Sequence, residues 1–198
     1  MLFRSAQLGA FSAPEFGALR SAQIAALATA QLPGLGTDDI QALVSDQILA
    51  LSSAQITALS TQQVEAFTAE RFRAFSSTQI PFFSVAQLQA LSTEDVSRIG
   101  TAQIAALGTA QLPGLGTDDI LALTTTQVSS LTSTQIAALS NAQILALETA
   151  DFAALKTTQI PGLTTAQMSA IGTDDIVALS PTQSAALSAA QIQALSTE

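Results

Sequence analysis

Apolar residues recur along the chain with a period of eight, and each period contains two apolar sites. One series runs from Phe3 to Leu195 and holds Leu, Phe or Ile at every site. The other runs from Leu8 to Ile192, and Ser184 is its one exception. The chain is therefore a continuous array of octapeptide repeats without insertion or deletion.

The spacing of the apolar sites excludes a long helix and a strand. An α-helix turns about 100° per residue, so an eight-residue period would drift by about 80° per repeat. In a strand, the alternating spacings of three and five would place successive apolar sites on opposite faces. A spacing of three suits one helical turn, so we predict an all-α solenoid, a superhelix of very short helices with one helix per octad. A β-solenoid is the alternative, although the abundant Ala, Gln and Leu favour helix.

Polar residues predict where each helix begins. Ser, Thr or Gly usually follows the first apolar series, and Gln comes three residues later, as at Ser52 and Gln55. This is the capping-box pattern, in which each side chain bonds a backbone N–H at the helix start. Acidic residues concentrate in the predicted first turns, which suits the helix dipole. Four octads carry Pro where the helix would continue, so we expect them to be tighter or irregular: Pro33, Pro81, Pro113 and Pro161.

A longer repeat of ten octads lies above the single octads, because the segment that begins at Arg20 matches the one that begins at Gly100. We therefore interpret residues 1–198 as one continuous solenoid with super-repeats at 20–99 and 100–179. An isolated octad buries two large side chains, worth about 3 to 6 kcal/mol, against about 8 to 16 kcal/mol for ordering its backbone. Octads must consequently stack on their neighbours, as in other solenoids.

Composition restricts the chemistry. The chain contains no His, Cys, Trp or Tyr, so we expect neither an enzyme nor a bound cofactor. A net charge of -9 with six basic residues argues against nucleic-acid binding. No apolar run approaches the roughly 18 to 20 residues that span a bilayer, so no membrane insertion is expected. The expected partner is another protein, or a second copy that associates through the open solenoid ends.

Two segments and two shorter variants are candidate metal sites. The sequence PGLGTDD at 33–39 and 113–119, with the variants IGTDD at 171–175 and STED at 92–95, resembles the GLGTDE calcium loop of annexins. The resemblance covers only the loop itself and lacks the distant carboxylate of that family, since Ser76, Ser77 or Lys156 lies downstream. The acids either start helices or bind calcium. The candidate calcium ligands are Asp38, Asp39, Asp118, Asp119, Asp174 and Asp175.

Residues 67–83 form a candidate partner-binding segment, because five of the nine phenylalanines fall there. Four of them occupy ordinary apolar sites, but Phe82 replaces the usual Ala. Aromatic and Arg side chains dominate binding hot spots, so Phe82, Arg71 and Arg73 are the candidate contacts. Local repacking of the core is the other interpretation.

The repeat unit resembles octapeptide arrays of large bacterial proteins that are labelled as haem-utilisation or adhesion proteins. LTTTQVSS at 123–130 and LSNAQILA at 139–146 carry the resemblance, which extends over essentially the whole chain. It implies a bacterial surface or secreted setting, although a cytoplasmic one stays open. The absence of His, Cys and Tyr gives the haem label no support. The resulting function is a non-enzymatic scaffold segment, with a recognition module on the superhelical surface as the alternative.

Overall fold

Most octads form one short α-helix that begins directly after its cap residue. The computed structural model describes residues 8–195, and within that range the regular structure is helical, with no strand. In the first half the α-helices are Ala13–Gly17, Ser21–Ala25, Thr37–Ala42, Ser45–Leu49, Ser53–Ala58, Thr61–Glu65, Ala69–Phe72, Val85–Leu88 and Thr93–Arg98. In the second half they are Thr101–Ala106, Thr117–Leu121, Thr125–Val128, Ser133–Ala138, Asn141–Leu145, Thr149–Ala154, Thr165–Met168, Thr173–Val177, Pro181–Ser184 and Ala189–Ala194. The predicted all-α fold is confirmed.

The predicted capping boxes are present. At the helix Ser53–Ala58, the Ser52 hydroxyl accepts from the Gln55 backbone N–H at 3.3 Å, and the Gln55 Oε1 atom accepts from the Ser52 N–H at 2.8 Å. The glutamine half of the box does not require a hydroxyl at the cap. Gln31 Oε1 accepts from the N–H of Ala28 at 2.7 Å. The glutamine therefore defines the helix start even where Ser or Thr is missing.

The proline octads are tighter, as predicted. They form 3₁₀ turns at Thr29–Gly34, Ile80–Phe82, Leu112–Gly114 and Ile160–Gly162. A 3₁₀ turn uses an i→i+3 hydrogen bond and is suited to short pieces. Each proline is the fifth residue after its cap, where an α-helix would need the N–H that proline lacks, so a 3₁₀ turn replaces it.

The second apolar series lies in the centre of each turn. Ile56, Ile136 and Ile144 are completely buried, whereas residues of the first series such as Leu59 and Leu139 retain 4 to 5% exposure. The second series lies in the middle of each helix and the first series at its end, and both face inward because three residues make about one helical turn. The usual Ala sites beside them are half-buried in most octads.

A glutamine ladder joins each turn of helices to the turn before it. The Nε2 atom of Gln135 donates to the carbonyls of Ile104 and Leu107, at 2.9 and 2.7 Å, while its Oε1 atom accepts from the N–H of Thr132 at 2.7 Å. We call this position of the octad the ladder site. Ten further glutamines donate to carbonyls 28 to 31 residues earlier: Gln47, Gln55, Gln63, Gln79, Gln87, Gln143, Gln159, Gln167, Gln183 and Gln191.

The ladder gives the number of octads in one turn. Its bonds reach the end of the octad four repeats earlier, whereas helices also contact the helix three repeats earlier, as Ser21–Ala25 contacts Ser45–Leu49. One turn therefore takes between three and four octads. Every buried side-chain nitrogen and oxygen among the described residues has a hydrogen-bond partner, as close-packed interiors require.

The chain divides into two compact units, Met1–Ile99 and Gly100–Glu198. The boundary between them coincides with the boundary between the two super-repeats that we delimit in the sequence. Each unit contains its own helices, apolar interior and ladder bonds. The interpretation of residues 1–198 as one uninterrupted solenoid stays a prediction.

Candidate functional site

The paired aspartates of the GTDD turns have two different positions. Asp38, Asp118 and Asp174 are exposed at the second residue of their helices. Their neighbours occupy ladder sites. Asp39 and Asp119 are buried, and each accepts from the N–H of its cap glycine through Oδ2 at 2.9 Å. The inner carboxylates of these two turns are therefore used as helix caps.

Burial changes the acidity of one of these inner carboxylates. It raises the pKa of Asp119 above its ordinary value, and the charge of Asp118 adds to this, while the N–H of Gly116 lowers it. The same balance applies at Asp151, a ladder-site aspartate outside the GTDD turns: burial raises its pKa and the N–H of Glu148 lowers it. Desolvation disfavours the charged form, so it dominates at both sites.

The aspartate pairs do not form a multidentate oxygen cage. Over residues 8–195 no three His, Cys, Asp or Glu side chains lie close enough together to hold a metal ion. Two of the inner carboxylates already accept a backbone N–H, and calcium takes six to eight oxygen ligands. The third pair differs, because Asp175 Oδ1 accepts from the hydroxyl of Thr149 at 2.7 Å. Calcium binding at these turns stays a prediction.

Arg71 stands at a ladder site, in place of the usual glutamine. Its Nε atom donates to the carbonyl of Leu43 at 3.0 Å, 28 residues earlier. The half-buried guanidinium therefore makes the bond to the preceding turn that a glutamine carboxamide makes elsewhere. Arg73 is exposed, and its backbone N–H caps the end of the helix Ala69–Phe72. The two predicted contact residues thus have separate surroundings.

Phe82 projects from the surface while the other four phenylalanines of its segment are buried. The side chains of Phe67, Phe72, Phe75 and Phe83 form a cluster with ring centroids 5.0 to 5.4 Å apart. Phe82 is 43% exposed. It borders a groove of about 500 Å³ whose other walls are small residues: Thr29, Ser53, Ala54, Thr57 and Ala58.

The corresponding groove in the second super-repeat is smaller, at about 340 Å³. There Gly162 takes the position of Phe82, and a Cβ atom on Gly162 would lie 2.3 Å from the carbonyl oxygen of Ser133. The backbones of neighbouring turns therefore approach closely in the second copy. A phenylalanine does not permit that approach, so the groove beside Phe82 is wider.

Sequence reasoning missed a second pocket of the first unit, of about 530 Å³. Its walls contain four carboxylates and two guanidiniums: Glu65, Glu70, Glu94, Asp95, Arg71 and Arg98. One ion pair is present, between Arg98 and Glu94 at 2.7 Å. The signal in the sequence was Asp95, an acid at a ladder site, which cannot donate to the preceding turn as a glutamine does.

Comparison with known protein families gives one match. The model of the ALTTAQ repeat matches residues 16–53, 32–69, 85–117, 93–125, 112–147, 144–181 and 168–198. A search of curated proteins finds no significant match to the chain. In the part of the chain that the structure describes, every helix is too short to cross a bilayer.

Proposed function

The chain belongs to the ALTTAQ repeat family, and we propose that it serves as a non-enzymatic scaffold segment of a larger bacterial surface or secreted protein. The glutamine ladder is the observation that supports this most directly. The side chains of the ladder glutamines are bonded to helix caps and to the preceding turn, so their role is structural. The repeat thereby gives a backbone that can be lengthened octad by octad.

A scaffold of this kind tolerates changes of length in whole octads. Removing residues 140–147 keeps every later glutamine in register with its acceptors, because the ladder connects equivalent positions of the repeat. We expect this variant of the full chain to stay helical by circular dichroism and to melt in one transition. The matched variant without residues 140–143 shifts the apolar sites by half an octad and should lose its melting transition. Equal damage from both deletions would contradict the scaffold proposal.

The exposed helix face should be equally tolerant. Gln62, Ala102, Thr126 and Ala142 lie in first turns and are exposed, so replacing all four by Glu suits the helix dipole. We expect an unchanged melting temperature. The proposed location is tested separately, by fractionating the producing bacterium and detecting the array in the medium or at the surface. Retention of the whole protein in the cytoplasm would refute that part of the proposal.

A recognition module is the second candidate, and the exposure of Phe82 beside its groove favours it. A large exposed aromatic at a position that is otherwise Ala suits an anchor for a protein partner. If Phe82 binds a partner, Phe82→Ala reduces cross-linking of the full chain to that partner in the producing cell. Val177→Ala is the matched control, since Val177 is 77% exposed in the second unit. A Phe82→Ala variant that loses stability and no cross-link would identify the residue as structural.

A further inference from the structure

Asp95 occupies a ladder site of the first unit at which the bond to the preceding turn is missing. Its Oδ2 atom accepts from the N–H of Ser92 at 3.2 Å and from the Ser92 hydroxyl at 2.6 Å. By the register of the other ladder bonds, a glutamine at this position would donate to the carbonyls of Val64 and Phe67. The carbonyl of Phe67 accepts no hydrogen bond from the described residues, although Phe67 is completely buried.

A pocket of about 530 Å³ opens at this gap in the ladder, between the helices Ala69–Phe72 and Thr93–Arg98, which contact each other. Phe67 and Asp95 both line it. Glu65 and Glu70 add carboxylates that form no ion pair with the described residues. The walls therefore carry four negatively charged carboxylates and two positively charged guanidiniums, so their net charge is negative.

Within this chain a guanidinium already occupies an equivalent position. Arg71 Nε donates to the carbonyl of Leu43, which lies 28 residues earlier, and Phe67 has the same separation from Asp95. A guanidinium thus replaces a glutamine carboxamide at a ladder site. It also carries further N–H groups in a plane, which suit a neighbouring carboxylate. A bare metal ion is a poorer fit, since no three acidic side chains of residues 8–195 converge on one point.

We propose that the pocket at Asp95 binds a guanidinium group carried by an arginine of a partner peptide. The guanidinium donates to the carbonyl of Phe67 and to the carboxylate of Asp95, and it completes the missing bond of the ladder from outside. Glu65 and Glu70 attract the basic segment that carries it. Because this site lies apart from Phe82, the proposal does not rest on the scaffold or on the recognition module described above.

The second super-repeat provides a natural control. Asp175 is the counterpart of Asp95 there, and its Oδ1 atom is occupied by the hydroxyl of Thr149 at 2.7 Å. The first copy has Ala69 where the second has Thr149. Leu145 and Ala150 correspond to Glu65 and Glu70. The second copy therefore supplies its own donor and lacks carboxylates at these two positions, although Glu148 and Asp151 replace Thr68 and Arg71 there.

The test is a titration of the full chain with Nα-acetylarginine amide, followed by the backbone amide resonances in NMR. We expect millimolar binding, with shifts confined to residues 64–72 and 92–98 and to Gln41, which also lines the pocket, and none near Asp175. Nα-acetylcitrulline amide has the same shape but no charge, and it should bind about tenfold more weakly or worse.

Two variants separate this site from adventitious binding. Ala69→Thr copies the second super-repeat and places a hydroxyl beside Asp95, so the affinity should fall about tenfold. Asp95→Gln builds the missing ladder bond, so it should abolish binding and raise the melting temperature, which shows that the fold is intact. Equal affinity for the citrulline compound, shifts elsewhere in the chain, or undiminished binding by Asp95→Gln would each overturn the proposal.

Discussion

Gln135→Glu tests the contribution of one ladder glutamine, because the substitution preserves the size of the side chain and removes its two bonds to the preceding turn. The carboxylate retains an oxygen that accepts from the N–H of Thr132, so the helix cap survives. It loses the donor that bonds the carbonyls of Ile104 and Leu107 at 2.9 and 2.7 Å. It also brings negative charge against these two oxygens at a site that is 2% exposed.

The expected loss of stability follows from these contacts. Two hydrogen bonds contribute about 0.5 to 1.5 kcal/mol each, so their removal costs about 1 to 3 kcal/mol. The buried charge adds to this, and we expect a total of about 3 kcal/mol at pH 7. Burial raises the pKa of the new carboxyl in the folded state, so the folded chain binds the proton more tightly than the unfolded chain. The penalty therefore decreases as the pH falls toward about 4.

Urea unfolding measured by far-ultraviolet circular dichroism is the suitable assay, since the chain has no Trp or Tyr. Repeat arrays can depart from two-state unfolding, so the slope m must be compared between variants before free energies are derived. Gln23→Glu is the control. Gln23 is exposed, its Oε1 atom caps Arg20 at 2.8 Å, and its nitrogen bonds none of the described residues.

We expect the control to change the free energy of unfolding by no more than about 0.5 kcal/mol. If Gln135→Glu costs no more than Gln23→Glu, the bonds between turns do not stabilise the fold. A penalty that does not change with pH would show that the buried carboxylate is not responsible.

Three further predictions follow from the same geometry. Asp151 is buried at a ladder site, so Asp151→Gln should donate to the preceding turn and stabilise the chain by about 1 to 2 kcal/mol at pH 7. Because burial raises the pKa of Asp151, its contribution makes the wild-type chain less stable as the pH rises above the ordinary value of 3.8. The stability gained by Asp151→Gln should therefore be smaller at pH 4 than at pH 7 in urea titrations. An equal gain at both pH values would refute this origin. Gly162→Ala places a methyl group 2.3 Å from the Ser133 carbonyl oxygen and should lower stability by about 1 to 3 kcal/mol. Gly36→Ser, where a Cβ meets nothing nearer than 3.7 Å, should be neutral or stabilising in the same assay, and equal losses would contradict the close approach of the turns. Millimolar calcium should leave the melting temperature unchanged, since the buried GTDD carboxylates already cap helices, and a saturable rise that Asp119→Asn removes would show that these turns bind the ion.

The helices and their boundaries could be predicted because the interactions that define them are local. A capping box joins residues three apart, and the two inward-facing apolar sites of an octad are also three apart. Ser52, Gln55 and Ile56 therefore carry the start and the buried face of their helix within five residues. The 3₁₀ turns follow equally from Pro33 and Pro81, which remove a backbone donor.

The connection between turns could not be predicted from that pattern, because the bonded residues Gln135 and Leu107 lie more than three octads apart. One signal for it was nevertheless present. A capping box accepts Glu as readily as Gln, yet Gln fills 17 of the 24 ladder sites, while six hold Asp or Glu and one holds Arg. This preference for the carboxamide indicates that most ladder sites need a donor as well as an acceptor.

The candidate sites depart from the repeat, so the sequence identifies their positions better than their surroundings. Phe82 is conspicuous as an exception among alanines, and the structure places it at the surface. The sequence does not show that Arg71 donates to the carbonyl of Leu43, nor that Asp95 faces a pocket. Both features depend on packing against the preceding turn of helices, which lies about 28 residues earlier in the chain.

The ladder also has a consequence for the order in which the chain folds. Each glutamine donates backward along the sequence, to carbonyls that the ribosome has already released when the glutamine emerges. Gln63 thus finds the carbonyls of Leu32 and Leu35 in place. The separation between bonded residues stays the same however many octads are added, so the cost of loop closure does not grow with the length of the array. Folding can accordingly keep pace with translation from the amino terminus onward, with each new turn templated by the one synthesised before it.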